Sequence, residues 1–144
     1  MYQEVIVMYP AHILENGEQQ TVREHCRNTA VLAANALRPL GLEKSAYLAG
    51  LLHDAGKTKK EYEQYLLEAV SGGNAVRGSV NHTFAGVRLL LDRWHCGCGA
   101  FSYSDVTAEL LAFAVGSHHG LFDCIDPRQH SGFFHRQTKE GIFY

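Results

Sequence analysis

Leu51-Leu52-His53-Asp54-Ala55-Gly56-Lys57 is the stretch on which the reading of this chain turns. An apolar run at Ala46, Leu48, Ala49, Leu51 and Leu52 carries a helical pattern up to an adjacent histidine and aspartate, after which Gly56 marks the helix end and Lys57 follows. Adjacent helical positions point about 100° apart. His53 and Asp54 can therefore share one metal ion while the second carboxylate oxygen of Asp54 reaches toward another. Four further histidines, His25, His82, His118 and His119, stand on or beside apolar helical segments, where imidazole is not a default choice. The expectation is that they converge on Asp54.

A single histidine on an apolar face is commonly a hydrogen-bonded core residue. That reading weakens when five occur with an adjacent aspartate in a chain of 144 residues holding nine histidines. The formal charge of −2 gives no global electrostatic case for nucleic acid, so any phosphate must be bound by a local site. The four cysteines, Cys26, Cys96, Cys98 and Cys124, form no CxxC pair, and no apolar run approaches the roughly 20 residues that span a bilayer. With no signal peptide evident, the expectation is a reduced, cytoplasmic protein. His95, Cys96 and Cys98 are too tightly spaced, and lack a partner pair, for a structural zinc; they read as a loop with free thiols.

In order, residues 1–9 alternate enough for a short strand or extended arm before Pro10, and 11–20 read as a loop turning at Asn16-Gly17. His12 reads as a solvated loop histidine. Thr21 and Glu24 form a capping box for a first helix with an inward stripe at Val22, Cys26, Thr29, Ala30, Ala33 and Leu37. A second helix runs from about Glu43 to Asp54 and reads as the central, most buried one. A third begins after Lys57 with Thr58 as N-cap and carries Tyr62, Tyr65, Leu66, Ala69 and Val70 on one face. A glycine-rich loop over 71–79 leads to a helix from about Asn81-His82 to Trp94. A last helix opens at Asp105 and ends at Gly116-Ser117, releasing His118-His119-Gly120. The tail from Leu121 has no clear period, and His130 and His135 read as tail residues rather than ligands. The fold class is all-α, a helical bundle with a possible short N-terminal strand, in one domain.

His25 within TVREH, LLHDAGK at 51–57, EYEQYL after it, NHTFAG around His82 and SHHGLFD at 117–123 together resemble the HD nuclease domain of type I CRISPR interference, the nuclease part of the CRISPR-associated nuclease-helicase. The likeness runs from about His12 to Asp123. The isolated histidines and the HD pair are shared with the whole HD superfamily; the HHG ending and the EYEQYL helix favour the CRISPR branch.

The resemblance implies an HD helical bundle with two divalent transition-metal ions, manganese, iron, nickel or cobalt, with magnesium possible. His25, His53 and Asp54 would hold one ion, and Asp54, His82, His118 and His119 the other, with Asp54 bridging. Asp54 and Lys57 would be the catalytic pair, the ammonium neutralising the scissile phosphate. The implied substrate is single-stranded DNA, and the implied partners are a helicase domain or subunit and a guide-RNA surveillance complex. Lys59, Lys60, Arg77 and Arg88 could line the strand's path, although Lys59 and Lys60 also suit a solvated helix start. HD domains complete the first site with an aspartate on a later helix. Asp123 and Asp126 come too early for it, so residues 1–144 are expected to be a fragment without the last HD helix and the helicase region. Two other functions stay open: an HD phosphohydrolase of nucleotides or cyclic dinucleotides, and a non-catalytic module that binds metal or nucleic acid and docks on a partner.

Overall fold

The computed structural model describes residues 8–14, 16–76, 78–97, 99–100, 102–121, 124–125, 132–140, 142 and 144. Strands β1 (Pro10–Ile13) and β2 (Gln19–Thr21) precede helices α1 (Val22–Leu37), α2 (Glu43–Leu52), α3 (Lys60–Val70), α4 (Thr83–Trp94), α5 (Tyr103–Gly116) and α6 (Gly132–Gln137). Short 3-10 turns cover Arg38–Leu40 and Ala55–Lys57. The all-α bundle expected from the helical patterning is the architecture observed, with one small antiparallel sheet.

That sheet lies where the sequence reads as a loop. β1 and β2 pair with His12 opposite Gln20 and Ile13 opposite Gln19, closing the turn at Asn16-Gly17. Gln19, Gln20 and Thr21 show no apolar alternation, so periodicity alone does not reveal the strand. What fixes the hairpin is burial of Ala11 against Val22 and Cys26 of α1. The strand expected over 1–9 falls mostly outside the described residues.

The capping box at α1 forms as read: Thr21 Oγ1 accepts the Glu24 N–H at 3.2 Å, and the Glu24 carboxylate accepts the Thr21 N–H at 3.1 Å. Of its stripe, Val22, Cys26 and Ala30 are buried, whereas Leu37 is exposed. At α3 the expected cap fails. Thr58 donates its hydroxyl to the Ala55 carbonyl at 2.7 Å, and Lys59 takes the N-cap position. Only Tyr62 of the α3 stripe is buried. Helix α5 starts two residues before Asp105, because Ser102 caps it.

The most buried helix is α4, not α2. Phe84, Ala85, Val87 and Leu90 of α4 pack with Ala112 and Val115 of α5 and with Cys124 and Ile142, while Leu48, Ala49 and Leu52 of α2 are only partly buried at the edge of this core. Helix α2 buries mainly small residues, Ala46 and Gly50, and leaves Tyr47 exposed. The tail, which lacks a period, is also tied in: Phe133 of α6 stacks near Phe84 and Phe113, with ring centroids 5.6 and 5.8 Å away. Arg88 clamps the end of α6 and the chain after it, donating to the carbonyls of Gln137 (2.8 Å), Lys139 (2.6 Å) and Ile142 (2.8 Å).

Helix α4 can lie against the end of α2 only because position 86 is glycine, since an added Cβ would collide with the Leu52 carbonyl. Gly86→Ala is expected to lower the unfolding free energy by about 1–3 kcal/mol, read from the urea midpoint. An unchanged midpoint would contradict this close approach.

Candidate metal centre

Four helices deliver the site. His25 sits in the second turn of α1, His53 is the C-cap of α2, His82 is the N-cap of α4, and His118 and His119 follow α5. Asp54 has left helical geometry (φ −118°, ψ 23°), and the 3-10 turn after it brings Lys57 back beneath its carboxylate. Asp54 and Lys57 are 2% and 4% exposed, a rare degree of burial for charged residues that demands pairing. Gly56 does not end the helix, which stops at Leu52. It is needed for another reason: a Cβ there would strike the backbone of His82.

Asp54 Oδ2 receives Lys57 Nζ at 3.0 Å, His25 Nε2 at 3.0 Å and His53 Nε2 at 3.2 Å. Its other oxygen, Oδ1, is buried and has no hydrogen-bond partner among the described residues; His118 Nε2 and His82 Nε2 stand 3.5 and 3.8 Å from it. His25 and His53 face each other Nε2 to Nε2 at 3.1 Å, and His82 and His119 do so at 3.0 Å.

Backbone carbonyls settle the tautomers. Nδ1 of His53 lies 2.7 Å from the Gly50 carbonyl, Nδ1 of His118 lies 2.7 Å from that of Val115, and Nδ1 of His82 lies 3.3 Å from that of Val80. A carbonyl only accepts, so each Nδ1 carries the proton and donates it. In the neutral ring Nε2 then presents a bare lone pair toward the carboxylate. This is the orientation of a metal-ligating histidine, and lone pair against lone pair calls for a cation between them.

Burial alone would raise the Asp54 carboxyl, but its surroundings, the Lys57 ammonium among them, outweigh it and hold the group well below the usual carboxylate range. Burial pushes His82 down to about 4 against the opposing pull of Asp54, and burial likewise lowers His25. Both rings are therefore neutral, and ligand-competent, at pH 7. At His53 burial also opposes charge, yet the Asp54 carboxylate and the Gly50 carbonyl prevail and raise its pKa. The pocket attracts positive charge at that nitrogen.

Among the described residues two groups have ligand atoms within 4.8 Å of one another: His25, His53 and Asp54, and Asp54, His82 and His119. The donor set of imidazole and carboxylate, with the orphaned Oδ1 between the groups, fits divalent transition metals. The six histidine and aspartate residues expected as ligands are thus brought together, with Lys57 beside them.

The residues expected to guide a strand are placed otherwise. Arg88 donates to three carbonyls of the tail. Lys60 is exposed on α3 and Lys59 is half-buried at its cap. Arg77, Asp123, Asp126 and His130 lie outside the described residues. His12 is exposed, but on β1 rather than in a loop, and its ring meets that of His25 edge-on at 4.7 Å. His95 bonds Glu109 at 2.7 Å, and Cys96 donates its backbone N–H to Asp105, so this loop is stitched to α5; Cys98 lies outside the described residues. His135 is exposed on α6. Sequence reasoning also missed Tyr62, whose ring packs edge-on to His82 at 5.0 Å and lies 5.3 Å from Lys57 Nζ. Its helical stripe marked it as apolar packing only.

A helical domain that gathers histidines around one buried aspartate defines a class of metal-site proteins, of which HD domains are the matching family. The HD domain family matches residues 22–130, and the chain belongs to it. No curated protein and no solved structure matches the chain. HD domains are in general metal-dependent hydrolases. Among the described residues no helix is long and apolar enough to cross a membrane.

Protein stripped with EDTA should gain about 2.7 kcal/mol of stability at free manganese 100 times its Kd, seen as a raised Tm, and Asp54→Ala should erase the gain. An equal shift in that variant would exclude this cluster as the metal site. Gly56→Ala, by displacing His82, should weaken manganese binding measured by titration calorimetry while leaving one of the two ligand groups intact.

Proposed function

We propose that this chain is the metal-dependent single-stranded DNA nuclease domain of type I CRISPR interference. The observation that carries the reading is the buried Asp54 carboxylate between two histidine groups, set in a chain whose flanking motifs, EYEQYL, NHTFAG and SHHGLFD, resemble that branch of the HD domains. In this reading a helicase domain or subunit, working with a guide-RNA surveillance complex, supplies the displaced strand.

Two divalent ions, manganese, iron, nickel, cobalt or magnesium, would supply Lewis acidity toward a phosphoryl oxygen and a water of lowered pKa. His25, His53 and Asp54 would hold one, and Asp54, His82, His118 and His119 the other. The chain's own contribution is preorganisation. The carbonyls of Gly50, Val80 and Val115 fix three rings with Nε2 facing inward, so no reorientation is needed when substrate arrives. Lys57 keeps Asp54 ionised and adds a fixed positive charge beneath the site. Its burial makes it a source of field rather than a free arm, so it stabilises charge growing on the phosphoryl oxygens without leaving Asp54.

The second reading, a nucleotide or cyclic-dinucleotide phosphohydrolase, has one observation in its favour. The groove beside His82 and His119 encloses about 460 Å³, within the range of small-molecule sites. Cleavage of circular single-stranded DNA by metal-stripped protein with manganese, nickel or iron restored separates the two. The nuclease reading expects nicking and then degradation of the circle, with Asp54→Ala lowering the rate more than about 100-fold, the loss that removing one electrostatic stabiliser produces. Intact circles together with phosphate or nucleoside release from a nucleotide panel would replace it with the second reading.

A further inference from the structure

The groove next to the metal centre has an electrostatic character that the chain as a whole lacks. Against a formal charge of −2, its walls carry Lys57, Arg136 and Lys139, and no aspartate or glutamate is among its described lining residues. His82 and His119 form the end that meets the ligand cluster, and Tyr62 and Tyr65 form one side, their rings 5.8 Å apart. Arg136, on α6, and Lys139, just after it, line the same groove. This segment is held in place: Arg88 bonds the carbonyls of residues 137, 139 and 142, and the Arg136 guanidinium lies 5.4 Å from the centre of the Phe84 ring.

We infer that this groove is the seat of the nucleotide next to the scissile phosphodiester, with Arg136 and Lys139 binding the neighbouring phosphate and Tyr65 offering its half-buried ring to the base. The inference rests on the nuclease reading and deepens it by naming residues that meet the strand. Cations and aromatic rings lining one groove is the arrangement that holds a single strand without reading its sequence, since every base has a face to stack and every nucleotide a phosphate to pair. The polyanion is recognised locally, which reconciles strand binding with a chain of net negative charge.

The test measures binding of a fluorescein-labelled oligothymidylate of about ten nucleotides to the full chain, with metal removed by EDTA so that cutting plays no part. Arg136→Gln combined with Lys139→Gln should raise Kd about tenfold or more and reduce the slope of log K against log salt by about 0.7, the share of one phosphate on a single strand. Arg38→Gln with Lys44→Gln, an equal loss of charge on the exposed turn before α2 and on its first helical turn, should change neither. The groove variant should keep the manganese-induced rise in Tm, which shows that the fold and the ligand cluster are intact. Unchanged oligonucleotide affinity in the groove variant, or an equal loss in the charge-matched control, would overturn the inference and leave the nuclease reading standing. No oligonucleotide binding by the unaltered chain would overturn it as well, and the circular-DNA assay would then decide the nuclease reading by itself.

Discussion

One carboxylate, Asp54, sets the terms on which the rest of the molecule is built. Burying an ionised group costs several kcal/mol unless it is paired, and here the compensation comes from four separate helices and from Lys57, three residues on. The ammonium balances the charge. The histidines from α1, α2, α4 and α5 bring nitrogen atoms to both oxygens, and they can do so only if the helix ends meet at one point. The two glycine contacts follow from that convergence: Gly86 lets α4 lie on the last carbonyl of α2, and Gly56 lets the 3-10 turn lie on His82. The packing of the bundle and the geometry of the site are one constraint.

The ligand cluster was legible in the sequence because imidazole and carboxylate interrupt otherwise apolar helical stripes, and an interruption is visible without knowing any contact. The capping box at Thr21 was legible for a similar reason, being complete within four residues. What stayed hidden was long-range or aperiodic. The hairpin of residues 10–21 has polar strands held by Ala11, whose burial depends on α1. Helix α4 proved more buried than α2 because residues of the aperiodic tail cover it. Arg88 looked like a cation available to a strand; its three partners lie 49 to 54 residues away, and no local pattern announces them.

In the proposed reading, the chemistry and the choice of substrate reside in different parts of the chain. The metal-site residues lie within the segment that matches the HD domain family, 22–130, whereas Arg136 and Lys139 lie beyond it. A shared catalytic frame that takes different substrates through added peripheral segments is how one fold serves several reactions. His12, from β1 on the other flank, borders the same groove, so the segments before and after the matched region meet over a common centre.

The Arg88 clamp also has a consequence for how the protein is made. A polypeptide is made N-terminus first, so Arg88 is in the chain before residues 137, 139 and 142 are. During that interval the guanidinium has none of its three native acceptors and stays hydrated on the face of α4. Closing the wall beside the ligand cluster therefore trades water around Arg88 for carbonyls that later-made residues supply.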